Sequence, residues 1–202
     1  MVSGFRASRF SMTQDELLSI LKQAGKLKEN TRHCWITKDR KESVADHSWR
    51  IALMAMLLRD EPAFSGIDMD KVIRMCLIHD LGESFTGDIP AFEKGEKDTD
   101  KEDRLFHEWV GNFPKPVRSE WRLLLKEMEE QKTDEAKVYK SLDKLEALIS
   151  HDESDISTWL PLEYSLQLSY GRENVKCNPY LEKLHDVIDQ WTEEKIQKEK
   201  KR

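Results

Sequence analysis

Apolar residues along this chain recur at steps of three and four, and the pattern breaks at Gly, Pro, Asn and clusters of charge. That period predicts helices joined by short loops. Thr13 and Glu16 have capping-box spacing ahead of Leu17, Leu18, Ile20 and Leu21, so a first helix is expected to about Leu27. Residues 28–42 are polar and read as a connection. Ser43 is a good N-cap for a second helix to about Arg59, with Val44, His47, Ile51, Met54 and Leu58 on one stripe. Asp68 caps a third, expected to carry His79 and Asp80 to its end near Gly82, and Gly87-Asp88-Ile89-Pro90 is a turn. A loop dense in Lys, Glu and Asp from Glu93 to Asp103 leads to a fourth helix with Leu105, Phe106, Trp109 and Val110. Pro114 and Pro116 open a fifth, and Thr133 caps a sixth bearing Val138, Tyr139, Leu142, Leu145 and Ile149. A seventh is expected near Ser157, and Asn178-Pro179 opens the last, with Leu181, Leu184, Val187, Ile188 and Trp191. No pair of strands stands out. The fold class expected is all-α, a single domain over 13–194, after a loose lead-in over 1–12 and before a charged, fraying tail over 195–202.

The 202 residues suit one domain, and 36% of them are charged, which fits a helix-rich surface around a clustered core. A net charge of −6 argues against a nucleic-acid polymer as partner, because such binding rests on Lys and Arg neutralising phosphates. Cys34, Cys76 and Cys177 are an odd, scattered set without CxxC, which suggests a reducing compartment. MVSGFRASRF has no apolar signal region, and the run Ile51 to Leu58 is too short to span a bilayer. A cytoplasmic protein without membrane contact is expected, and the apolar residues of the last helices suggest a homodimer.

Chemistry concentrates at His79-Asp80, which lies with Glu83 in an otherwise apolar stretch. Buried charge is costly unless paired or metal-bound, and a metal needs more ligands than these. His47 lies on the stripe of the second helix, and Asp143 adjoins Tyr139, Leu142 and Glu146 on the sixth. Two imidazoles and two carboxylates suit one divalent metal ion: Mn, Fe, Co, Ni or Zn. Singly, each has an ordinary reading: a hydrogen-bonded core histidine, a cationic histidine at a helix C-terminus, a solvated aspartate. Their order on three helices that a bundle can bring together joins them. His107, His151 and His185 sit among charges and read as solvated, and His33 has no assigned role. No GxxxxGK[ST] loop and no GxSxG elbow occurs.

The order H…HD…D resembles the HD-domain metal-dependent phosphohydrolases. Glu42-Ser43-Val44-Ala45-Asp46-His47-Ser48, His79-Asp80-Leu81-Gly82-Glu83 with Gly87-Asp88-Ile89, Arg32-His33-Cys34-Trp35 and Leu142-Asp143-Lys144-Leu145-Glu146 are similar to segments of its 5′-deoxynucleotidase branch. The resemblance covers about residues 14–150. It implies an HD-type bundle with a metal site between helices, and His47, His79, Asp80 and Asp143 as metal ligands. It implies Glu83 as the residue that orients or deprotonates water, with Asp88 handling the sugar or leaving group. Arg32 would hold phosphate and Trp35 would pack against the sugar of a nucleotide substrate. Cys34 stands where glycine is common, so a side chain narrows the pocket there. The reaction expected is removal of the 5′-phosphate of a deoxyribonucleoside 5′-monophosphate. The alternatives are an HD hydrolase of another nucleotide, whether phosphodiester or guanosine polyphosphate, and a catalytically silent helical interaction protein with a structural metal.

Overall fold

Capping chemistry sets where the main helices begin. A computed structural model describes residues 11–201, so the first ten residues of the expected lead-in lie outside them. Thr13 accepts from Glu16 N at 3.2 Å while the Glu16 carboxylate accepts from Thr13 N at 2.7 Å, and α1 follows over Gln14–Ala24. Strands β1 (Thr31–Thr37) and β2 (Arg40–Ser43) then pair antiparallel, with Trp35 opposite Lys41. This hairpin corrects the plain connection expected over 28–42. Trp35, Ile36 and Thr37 are residue types that favour a pleated surface, and Arg32 on one strand donates to Glu42 on the other at 2.8 Å.

Ser43 makes a reciprocal cap with Asp46 and starts α2 (Val44–Leu58), and Asp68 caps α3 (Met69–Ile78). The third helix ends before Gly82 because the chain tightens: Leu81 N donates to Ile78 O and Glu83 N to Asp80 O, both three residues back. Glu83 therefore opens a separate single turn, α4 (Glu83–Thr86). Then come α5 (Glu96–Gly111), α6 (Lys115–Glu130) and α7 (Asp134–Glu153), the last capped by Thr133. The expected seventh helix is a 3₁₀ turn over Ile156–Thr158 followed by the short α8 (Glu163–Leu166) and α9 (Arg172–Val175). Pro161 disfavours helix before it. Gly171 has φ +75°, and a Cβ there would stand 2.6 Å from Lys144 Cβ, so the turn that brings α9 onto α7 requires glycine. Asn178 caps α10 (Pro179–Lys200). Its Lys195, assigned to the tail by sequence, donates to Asp152 O and Ser154 O at 3.0 and 2.5 Å.

Helix α7 is the centre of the molecule. It packs on α2, α3, α6, α9, α10 and β1 and buries residues all round, including Asp143 and Glu146, as only an interior helix does. Trp109, Phe113 and Trp121 join α5 to α6 through edge-to-face ring contacts. Among the described residues no helix is long and apolar enough to cross a membrane.

Candidate metal centre

Helices α2, α3 and α7 bring the four sequence-selected ligand candidates together. His47 lies in the first turn of α2, just inside the Ser43 cap, and is fully buried. Asp143 on α7 stands against it, with Oδ1 3.2 Å from His47 Nε2. His79 follows the last residue of α3, and Asp80 lies in the tight turn after it. Asp80 Oδ2 is 3.0 Å from His79 Nε2 and 3.7 Å from His47 Nε2, and Asp143 Oδ1 is 3.9 Å from His79 Nε2. Two imidazole nitrogens and two carboxylate oxygens thus alternate around one point. Ligands at about 2.1 Å from one cation and at right angles to each other would be about 3 Å apart.

The ring orientations fit a metal. His79 Nδ1 donates to Cys76 O at 2.9 Å, while its buried Nε2 makes no hydrogen bond among the described residues. His47 Nδ1 is hydrogen-bonded to the Glu146 carboxylate, which leaves Nε2 toward the carboxylates. Holding an imidazole by one nitrogen fixes which nitrogen is offered to a metal. His47, His79 and Asp80 are together close enough to hold one ion.

Charge around the group is finely opposed. Burial works against the Asp80 carboxylate, yet the His79 imidazole and His47 hold it well below the usual range. Burial also opposes ionised Asp143, and Lys140 and Lys144 outweigh it. Burial and Arg32 disfavour a charged His47, but Glu146 and Asp143 raise it to about 9. Burial raises Glu146, whereas His47, Arg32 and Arg50 bring it down to about 2. Glu146 carried no role in the sequence reading, although it stands three residues after Asp143 in the motif that drew notice. It also accepts from Arg50 Nε at 2.7 Å and Ser150 Oγ at 3.0 Å, so it clamps the base of the centre. Glu146→Gln is expected to weaken divalent-ion binding about 10–100-fold. Calorimetric titration of the stripped protein reads this, and an unchanged affinity would remove the clamp.

Glu83 is buried at the start of α4, with Oε2 lacking any hydrogen bond among the described residues and Oε1 3.9 Å from Lys94 Nζ. Asn30 Nδ2 donates to Glu83 O at 2.6 Å and Gln23 to Ser84 O at 3.1 Å, which anchors that turn. Burial, then Asp80, Asp88 and Glu102, push the Glu83 carboxyl up to about 10 against the pull of Lys94. Asp88 is raised by burial and Asp80, with Arg32 opposing. Arg32 spans Glu42 and Glu146 at 2.8 and 3.3 Å.

Two cavities reach this region. One of about 340 Å³ is lined by His79, Asp80, Lys94, Glu102 and Lys140, among others. A smaller one of about 100 Å³ is lined by Arg32, Cys34, Asp88 and Phe92, with His33, His151 and Glu163. Trp35 is not among the residues lining either; Lys41 Nζ lies 5.3 Å over its ring. One histidine read as solvated is not, and another is half-buried. His185 is fully buried, bonded to Tyr170 O at 2.9 Å, and His151 borders the smaller cavity.

The profile of the HD domain family matches residues 24–185. The chain is 36% identical over 142 residues to 5′-deoxynucleotidase HDDC2 of Mus musculus, covering 68% of this chain and 69% of that protein. It is equally similar, 36% over 141 residues, to 5′-deoxynucleotidase HDDC2 of Dictyostelium discoideum, covering 65% of this chain and 74% of that one. A solved structure described as a predicted metal-dependent phosphohydrolase from Magnetospirillum magnetotacticum MS-1 superposes with a TM-score of 0.74 at 25% identity, over 93% of this chain and 97% of that one.

Proposed function

The chain belongs to the HD domain family, and on that premise we propose that it is a metal-dependent phosphomonoesterase that removes the 5′-phosphate of deoxyribonucleoside 5′-monophosphates. The observation that carries this reading is the ring of His47, His79, Asp80 and Asp143 donors, buried at His47 and Asp143 and half-buried at Asp80, beside Glu83, a buried acid whose Oε2 has no hydrogen-bond partner among the described residues. A purely structural metal has no use for that further acid. The relatives named 5′-deoxynucleotidase support the substrate class.

In this proposal the four ring residues hold one divalent ion. When bound, the ion supplies Lewis acidity, neutralising phosphate oxygens and lowering the pKa of water. Glu83 orients the attacking water and takes its proton, which is the work of a general base. Burial and then the neighbouring carboxylates favour its neutral form, and positive charge beside Asp80 would act against that repulsion. Arg32, held in orientation by Glu42 and Glu146, offers its planar fork to the phosphate oxygens. Asp88, which lines the same cavity as Arg32, is assigned to the leaving 5′-oxygen, which takes up a proton as the P–O bond breaks. β1 offers the sugar a wall at Cys34, which lines the smaller cavity, with Trp35 the next residue of the strand.

A phosphate-release screen of ribo- and deoxyribonucleoside 5′-monophosphates with Mn, Fe, Co, Ni and Zn tests this. Release from deoxyribonucleotides above ribonucleotides is expected; release from neither would overturn it. We infer further that the protein acts in the cytoplasm as a homodimer. The three cysteines are free, and Val187 and Trp191 on α10 are exposed. Light scattering at micromolar concentration should give twice the chain mass, and a monomer mass would end the dimer reading.

A further inference from the structure

A second group of metal-type donors lies at the wall of the smaller cavity and shares no residue with the ring. His33 comes from β1, His151 from the last turn of α7 and Glu163 from the start of α8. Glu163 Oε1 stands 2.8 Å from His151 Nε2 and 3.2 Å from His33 Nε2, and the three donor atoms lie within 4.8 Å of one another. The two imidazole centroids are 6.1 Å apart with planes at 25°, against 5.3 Å for His47 and His79.

The group carries the same mark as the ring. Among the described residues His33 Nε2 is buried without a hydrogen bond, as His79 Nε2 is. Glu163 is 3% exposed, and its Oε2 already accepts from Leu160 N at 2.6 Å, so Oε1 is left to the two rings. A buried carboxylate requires a positive or hydrogen-bonding partner. The His151 ring hydrogen-bonds it, but the His33 ring does not. Phe92 meets His33 edge-on at 5.8 Å and Trp159 lies 5.9 Å from His151, an apolar surround that limits solvent access to the donors. Two imidazoles and one carboxylate are the three-ligand set of open zinc sites.

We propose that His33, His151 and Glu163 form a second divalent-cation site, of the zinc class, bordering the cavity that Arg32 and Asp88 also line. An ion there ties the hairpin to α7 and to the chain after it. With three protein ligands, a coordination position remains for water or a small ligand.

The test is metal stoichiometry, independent of turnover. The full chain is stripped with chelator, titrated with Zn²⁺ and with Co²⁺, and the bound metal is counted after dialysis. The wild type is expected to hold two ions per chain. His151→Ala and Asp80→Ala should each hold one, and the double variant none. In Asp80→Ala the remaining Co²⁺ should show the visible absorption of a four-coordinate ion. His33→Ala, at a partly exposed position, should lose the same ion as His151→Ala and serves where the latter fails to fold. A wild type that stops at one ion overturns the proposal, and so do two ions that both survive His151→Ala and His33→Ala. If Asp80→Ala keeps two ions while His151→Ala loses one, the second site stands and the four-residue ring fails.

Discussion

Replacing Asp80 with alanine is expected to abolish both cation binding at the four-residue ring and phosphate release, in a chain that still folds. Asp80 Oδ2 lies between the two imidazoles, 3.0 Å from His79 Nε2 and 3.7 Å from His47 Nε2. Without it the donor set falls to three and loses half its carboxylate charge, which a hard or borderline divalent ion needs. The fold does not depend on it in the same way. Asp80 sits in the turn after α3 rather than in the apolar core, and its charge is one of those that push the Glu83 carboxyl up. Circular dichroism should keep its helical signal, while metal analysis at this centre and turnover both fall to background. Full activity in Asp80→Ala would show that the ring is not the site.

Glu83→Gln separates binding from chemistry. Glutamine keeps the shape and removes the ability to take a proton. The ring residues are untouched, so the ion should remain. Loss of a positioned general base costs about 10²–10⁴-fold in rate, and that loss should appear in kcat with KM little changed, since the substrate contacts assigned to Arg32 persist. Steady-state phosphate release combined with metal analysis reads both. Unchanged turnover would remove Glu83 from the proton step, and loss of the ion would make it a ligand.

Helix starts were legible because caps are local chemistry: Thr13, Ser43, Asp68, Thr133 and Asn178 each accept from backbone N–H groups two or three residues on. The hairpin was not legible. Its Lys38-Asp39 turn lacks the Asn-Gly or Asp-Gly signal, and its strands are held by the Arg32–Glu42 pair and by α7, which no local pattern reveals. His47, His79, Asp80 and Asp143 could be chosen from their order along the chain. Glu146, on the same stripe as Tyr139 and Leu142, could not be given a role, because its partners Arg32, His47 and Arg50 come from other elements. The same blindness hid His185, whose ring is fully buried and bonded to Tyr170 O although Lys183 and Asp186 flank it in sequence. The helical period also overstated α1: Leu17, Leu18 and Leu21 recur correctly yet remain exposed, because that helix has no neighbour on that side among the described residues.

The most direct measurement is phosphate release from a deoxyribonucleoside 5′-monophosphate by chelator-stripped protein, before and after a divalent ion is restored. If His47, His79, Asp80 and Asp143 hold the ion on which hydrolysis depends, the stripped protein is silent and restoring one of Mn, Fe, Co, Ni or Zn recovers turnover. Phosphate release that continues at the same rate after stripping would contradict a metal-dependent site in this ring.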